Sequence, residues 1–474
     1  MFVRKIHTAG FVMALACVPI VAHACEFHTA SMGNYEPLDE SIFTSEFSVQ
    51  ALPGNATVGA WKLNLTNAVG NSPNATIDAL VNTISADVQG IYYDSTFVYI
   101  RHTDVPSHDL GPFPGNPAYP SNLNRTSRLP RTPVEATAKT NAGLGSIGVM
   151  VNGGLFFNAA DAMSYNNQNI WHQNANVFEA SSFDIGPGHP APLMNQPGNP
   201  QPGQYHYHQA PIALLNQIDP GNTGQHHSPI VGYAWDGFPV YGPFGYDNPT
   251  DDESSIIRVE SGYQIRDGLL ASGIRDRTSD TGTQLPVNQR GPTVATTAAG
   301  SYLEDFEYVA GLGDLNQYNM RFTVTPEYPL GTWAYFLTLD ASGESIYPYV
   351  IGTQYFGVVD TSNTGPTGGQ NQIPSAASLL KVGDTNLDGT VDFTDLLAVA
   401  QNYGTDGPTQ WSAGDFNRDG SVDFTDLLMT AQNYETSGVS GFDGDWTLAL
   451  ASVPEPSIAL IVPGMLILGR RKVR

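Results

Sequence analysis

The sequence is poor in cysteine, in basic residues and in charge of any kind, and each scarcity narrows what the chain can be. Its two cysteines are Cys17 and Cys25. Cys17 falls in a segment that reads as removable, so no internal disulfide remains, and a lone thiol argues against thiol catalysis. Only 14% of residues are charged, with 20 Lys and Arg against 45 Asp and Glu, for a net charge of -25. An acidic surface of that kind repels phosphate backbones and anionic lipid, which excludes nucleic-acid and peripheral membrane binding. No phosphate-binding glycine loop and no Gly-x-Ser-x-Gly elbow is present, so nucleotide chemistry and that class of serine hydrolase are disfavoured. A long amphipathic helical period is also missing before residue 390, while 49 Gly and 34 Pro point to loop-rich β structure.

Both termini carry sorting features. Arg4 and Lys5, an apolar run over residues 11–21 and the small-x-small triplet Ala22-His23-Ala24 make residues 1–24 a secretory signal peptide. Cleavage there leaves Cys25 first, with lipidation of that thiol as the alternative. At the other end, Val453-Pro454-Glu455-Pro456 precedes an apolar run over 458–469 and then Arg470-Arg471-Lys472. This tail, 453–474, resembles the PEP-CTERM sorting signal of Gram-negative-type bacteria. The resemblance implies removal by an exosortase-type processing enzyme, only transient contact with the membrane, and a destination at the cell surface or in the extracellular matrix. The apolar run is short for a membrane span, which takes about 20 residues.

Between the ends, the expected fold is mainly β, with a small α domain after it. Residues 25–84 read as an N-terminal segment of a large domain that continues over 85–357. Residues 360–378 (DTSNTGPTGGQNQIPSAAS) have the composition of a flexible linker, 379–435 form a repeat domain, and 436–452 are a second linker. Residues 91–101 (IYYDSTFVYIR) predict a hairpin around Asp94-Ser95. Residues 147–158 (IGVMVNGGLFFN) predict another, with Asn152-Gly153 supplying the positive φ angles of a tight primed turn. Buried strands are expected over 230–241 and 332–339.

The repeat domain is a duplication with a period of 31 residues: DTNLDGTVDFTDLLAVAQNYG from Asp384 recurs as DFNRDGSVDFTDLLMTAQNYE from Asp415. Each copy places oxygen ligands at positions 1, 3, 5, 7, 9 and 12 of a loop, with glycine at the sharp turn. The first set is Asp384, Asn386, Asp388, the Thr390 carbonyl, Asp392 and Asp395, and the second Asp415, Asn417, Asp419, Ser421, Asp423 and Asp426. Calcium suits such a cage, so two Ca2+ sites are expected, with metal coupled to folding. The helices that follow should pack through Leu396, Leu397, Val399 and Ala400 against Leu427, Leu428 and Ala431. The duplicated loop-helix resembles the type I dockerin over about 380–434, which implies docking to a cohesin-like or other surface protein.

Five of the 11 histidines lie between residues 189 and 227. In Gln204-Tyr205-His206-Tyr207-His208, strand alternation puts both histidines on one face and both tyrosines on the other. Two imidazoles on one face can share a transition metal, zinc or copper, given a third ligand from His189, His226, His227 or a carboxylate such as Asp184 or Asp236. His189, His206, His208 and His227 form the candidate set. His102, His108 and His172 read as structural. Gly188-His189-Pro190, Tyr205-His206-Tyr207-His208 and the run from His227 through Trp235-Asp236-Gly237-Phe238-Pro239 to Pro243 resemble the YHYH domain family over about 85–357. That resemblance implies no reaction, so catalytic residues are unassigned. Three functions compete on sequence: a metal-binding extracellular domain, a polysaccharide-active or glycan-binding protein, and a structural matrix protein without enzymatic activity.

Overall fold

The computed structural model describes residues 55–453 except 195, 267–276, 281–282, 366–367, 408–409 and 436–440. The signal peptide, Cys25 and the sorting tail beyond 453 lie outside the described residues. Strands dominate until residue 380 and helices after it, so the chain is a β-rich domain followed by a small α module.

The largest sheet has nine strands among the described residues. Its path runs Met320–Thr323, Thr332–Phe336, Pro239–Tyr241, Ile230–Ala234, Ser146–Met150, Leu155–Phe157, Gln201–Tyr207 and Ala118–Pro120. Every residue of Ile230–Ala234 is buried, as expected of an unbroken apolar strand covered on both faces. The strand Gln201–Tyr207 holds three neighbours. Its C-terminal end pairs in parallel with Leu155–Phe157 and its N-terminal end with Ala118–Pro120, while Gly188–Pro192 runs antiparallel along the other side. That last register sets His206 opposite His189.

A second sheet joins Ser378–Leu379, Val88–Tyr93, Phe97–His102 and Arg125–Pro130. The hairpin around Asp94 closes with the Asp94 carboxylate accepting from the backbone N–H groups of Thr96 and Phe97. The Asn152-Gly153 hairpin differs from expectation. Gly153 has φ 81° while Asn152 keeps negative φ, and the Gly153 N–H bonds the Met150 carbonyl. The turn is therefore centred on Val151-Asn152 with Gly153 as a bulge, rather than a two-residue primed turn. A Cβ on Gly153 would come within 2.6 Å of His102 Cβ, so close packing demands glycine there as well.

Residues 360–378 have a linker's composition, but their described residues lie bonded to the second sheet. Arg128 forks onto the Asp360 carboxylate at 2.7 and 3.1 Å, and buried Asn363 exchanges hydrogen bonds with the Arg128 backbone. Asn371 donates to the Thr126 carbonyl, Arg125 donates to the Gly368 carbonyl, and Ser378–Leu379 adds a strand beside Val88–Tyr93. Polar side chains thus supply the pairing that hydrophobic periodicity would have announced. The second segment read as a linker also departs from expectation: Gly441–Ser452 is a helix, with Trp446 against Tyr403 and Phe442 against Tyr434.

In the α module, helices Phe393–Asn402 and Phe424–Asn433 begin with matching capping boxes, Asp392 with Asp395 and Asp423 with Asp426. The repeats interlock. The Gly404 N–H, just past the first helix, bonds the Val422 carbonyl of the second loop, and the Glu435 N–H, past the second helix, bonds the Val391 carbonyl of the first. Gly414 packs on Val399, and Gly383 on Val391 and Thr430. The loops also rest on the large domain. Tyr93 donates to the Leu387 carbonyl, Trp411 covers Gly59, and Arg418 and Glu327 line one narrow gap at the seam.

Candidate metal sites

Alternation along Gln201–Tyr207 sends Tyr205 and Tyr207 into the core and the histidines to the opposite face. The tyrosines are anchored by polar partners: Tyr205 donates to Asp184, while the Tyr207 hydroxyl meets His108 Nε2 at 2.8 Å and accepts from Asn152 at 3.1 Å. Asp184 accepts in addition from the N–H groups of Gly111, Gly186 and Gly188. It braces the turn before His189 and faces away from any metal. Asp236 is likewise spent on the Tyr335 hydroxyl and the Gly357 N–H.

On the other face three imidazoles meet. His206 Nε2 lies 3.1 Å from His189 Nε2 and 3.0 Å from His208 Nε2. These are the three such side chains, among the described residues, whose ligand atoms all fall within 4.8 Å of one another. Their Nδ1 atoms are all occupied. His206 Nδ1 faces the Gln204 carbonyl at 3.1 Å and His208 Nδ1 the Asn158 carbonyl at 2.7 Å. His189 Nδ1 is 2.7 Å from Ser182 Oγ, whose own proton goes to the Glu179 carbonyl. A carbonyl or a committed hydroxyl can only accept, so each Nδ1 carries the proton and each Nε2 presents a lone pair. The His206 lone pair, about 3 Å from each of the other two, repels them unless a cation sits between. With metal–nitrogen bonds of about 2.0–2.1 Å, such spacings correspond to ligand angles near 90–100°, roughly one face of a coordination shell.

Burial disfavours the charged form of His189 and of His206. Burial, reinforced by the neighbouring His208, lowers the His189 pKa to about 4 against an opposing pull from Glu179. Burial lowers His206 further, and its ring stacks on Phe157 at 3.8 Å. The Nε2 atoms open onto a cleft of about 460 Å³ lined by Glu179, Asp161, Phe178 and Leu144. Glu179 Oε2 reaches 3.3 Å from His208 Nε2 and 3.8 Å from His189 Nε2. Asp161 is raised to about 6, chiefly by burial.

His227 does not join the group. Its Nδ1 bonds the Ser228 carbonyl and its ring sits among Tyr241, Tyr246 and Phe336. His226 pairs with Asp219 at 2.7 Å. Adjacent positions on one chain point apart, so sequence proximity alone overcounted the cluster. Glu179 was missed because it lies ten residues before His189, at the end of the short helix Ala175–Phe178, with no spacing to mark it. Elsewhere Ser127, His102 and Asp104 stand 2.9 and 2.8 Å apart in the order of a nucleophile triad. All three are buried and Arg125 holds Asp104, so the network is structural.

The acidic loops share one backbone design. Leu387 and Arg418 at the fourth position and Gly389 and Gly420 at the sixth all have positive φ. Asp384, Asp395, Asp415 and Asp426 are buried. Asp384 accepts from the Gly389 N–H and Asp395 from the N–H groups of Thr385 and Asp392, and Asp415 and Asp426 repeat the pattern. Asn386, Asp388, Asn417 and Asp419 are held by neighbouring backbone N–H groups or by each other. Burial first, then like charge from Asp395 and Asp388, raises Asp384 to about 6. Burial, with Asp415 and Asp419, does the same to Asp426. Oxygen-only donors carrying uncompensated negative charge fit a hard divalent cation.

The fold and these sites define an acidic, β-rich protein with a three-histidine cleft and a duplicated loop-helix module. Residues 126–347 match the family model described as YHYH protein, and residues 382–433 match that of the dockerin type I domain. The chain thus combines a YHYH region with a dockerin type I region, the pairing of an extracellular protein that carries a calcium-binding attachment module. No curated protein and no solved structure was found to match it. Dockerin domains generally bind cohesin-like partner proteins. Among the described residues no helix is long and apolar enough to cross a membrane.

Proposed function

We propose that this is a secreted surface protein whose YHYH region holds one zinc or copper ion on His189, His206 and His208. Its paired loops hold two calcium ions and attach the protein to a cohesin-like partner. One observation carries the first half: three Nε2 lone pairs converge within 3.0–3.1 Å of their neighbours while every Nδ1 is tied to an acceptor. Glu179 is the candidate fourth ligand, or the base for a water in the coordination position open to the cleft. Two loops that place Asp384 through Asp395 and Asp415 through Asp426 in one repeated geometry support the second half. The Pro454-Glu455-Pro456 motif supports release of the tail by an exosortase-type enzyme.

Elemental analysis of protein purified at neutral pH tests the histidine site. One equivalent of zinc or copper is expected, falling to background in His206→Ala. Wild-type protein that stays metal-free after incubation with both ions overturns the assignment.

A further inference from the structure

A second cleft, of about 720 Å³, lies beside the histidine cleft. Leu144 and Ala160 line both, so only that rim separates them. Tyr263, Phe306, Tyr308 and Tyr347 line the second cleft. Phe306 and Tyr347 stack at 4.2 Å with 6° between planes, and Tyr263 meets Tyr347 edge-on at 5.1 Å. Tyr263 donates to the Gln317 carbonyl at 2.7 Å, which fixes its direction. The rings are therefore pre-set rather than gathered by a ligand.

The polar groups around them are mostly amides and carboxylates, and the one histidine of the lining, His172, is paired with Glu304. The side chains of Asn141, Gln317 and Gln354 and the carboxylates of Glu304 and Glu307 line the wall. Its one lysine or arginine is Arg266, which is stacked over Trp171. Carboxylates and amides without an available cation disfavour an anionic ligand and suit one rich in neutral hydroxyl donors. Fixed aromatic faces favour a ligand with flat C–H surfaces. Sugar rings combine both properties.

We propose that this cleft binds a neutral oligosaccharide chain, whose next unit passes over Leu144 and Ala160 toward the three histidines. The passage toward the metal rests on the histidine-site reading; binding in the aromatic cleft does not.

Affinity electrophoresis of the full chain, in gels cast with hydroxyethyl cellulose, laminarin or soluble xylan, tests this, with polygalacturonate as the anionic comparison. At least one neutral polymer is expected to retard the protein and polygalacturonate is not. Tyr308→Ala should weaken retardation roughly three- to tenfold, with Tyr308→Phe close to wild type. Gln317→Ala alters an exposed side chain, so it reads the cleft without a folding defect, and it should also weaken binding. Wild-type protein prepared without zinc or copper should still be retarded, which separates failure of this proposal from failure of the metal site. Retardation by no neutral polymer, equal retardation by polygalacturonate, or undiminished retardation in both Tyr308→Ala and Gln317→Ala overturns it.

Discussion

Arg418, from the second acidic loop, and the buried Glu327 carboxylate of the β-rich domain line the same gap at the seam. Burial raises the Glu327 pKa, and the Arg418 guanidinium is the largest influence opposing it. Removing one partner of such a pair strands the other in a poorly solvated place, so Arg418→Ala should destabilise the protein by about 3 kcal/mol. Glu327→Gln should recover part of that loss in the double variant. Urea denaturation of the four proteins measures the coupling; additive effects would show that the pair does not act across the seam.

A Cβ on Gly59 would approach Trp411 Cβ to 2.6 Å. Gly59→Ala should therefore lift the module from the domain and cost about 1–3 kcal/mol. Enhanced fluorescence quenching by acrylamide and a lower urea midpoint are the expected readouts.

The Ser182 hydroxyl orients His189 without touching the metal position. Ser182→Ala should weaken metal affinity about 10- to 100-fold, whereas His206→Ala abolishes it. Competition with a chromophoric chelator separates the two, and equal affinities in wild type and Ser182→Ala would remove Ser182 from the site.

Calcium should stabilise the protein more at pH 7.5 than at pH 5. Asp384 and Asp426 are raised to about 6 in the folded chain, against about 3.9 when unfolded. A raised folded pKa contributes stability that is present below the unfolded value and lost as pH climbs through about 6. Metal-free loops are therefore at their weakest near neutrality, where a bound cation restores most. Each site would add about 2.7 kcal/mol at a calcium concentration a hundredfold above its dissociation constant. Melting curves with calcium and with chelator at both pH values check this, and equal shifts at the two would contradict it.

Periodic features could be read from the sequence, and features closed by distant side chains could not. The 31-residue duplication and the Tyr-His-Tyr-His alternation follow local rules, so the loop-helix pairs and the division of His206 from Tyr205 were legible. Glu179 and Ser182 reach the histidines through a short helix whose placement depends on tertiary contacts. The linker composition of 360–378 misleads for the same reason: Asn363 and Asn371 bond a strand more than 200 residues earlier, which composition cannot express. His227 shows the converse, since proximity in sequence to His226 and to the other histidines did not bring it to their cleft.

The bonds that Asp360, Asn363, Asn371 and Ser378–Leu379 make to the second sheet change how an attached molecule would behave. An ordinary spacer lets a catalytic or binding head roam around its anchor point, sampling every heading. Here the anchor and the head lie in one compact unit, so whatever grips the calcium module would also set which way the histidine opening faces. Neighbouring copies held along a common support would then present their openings in register rather than at random.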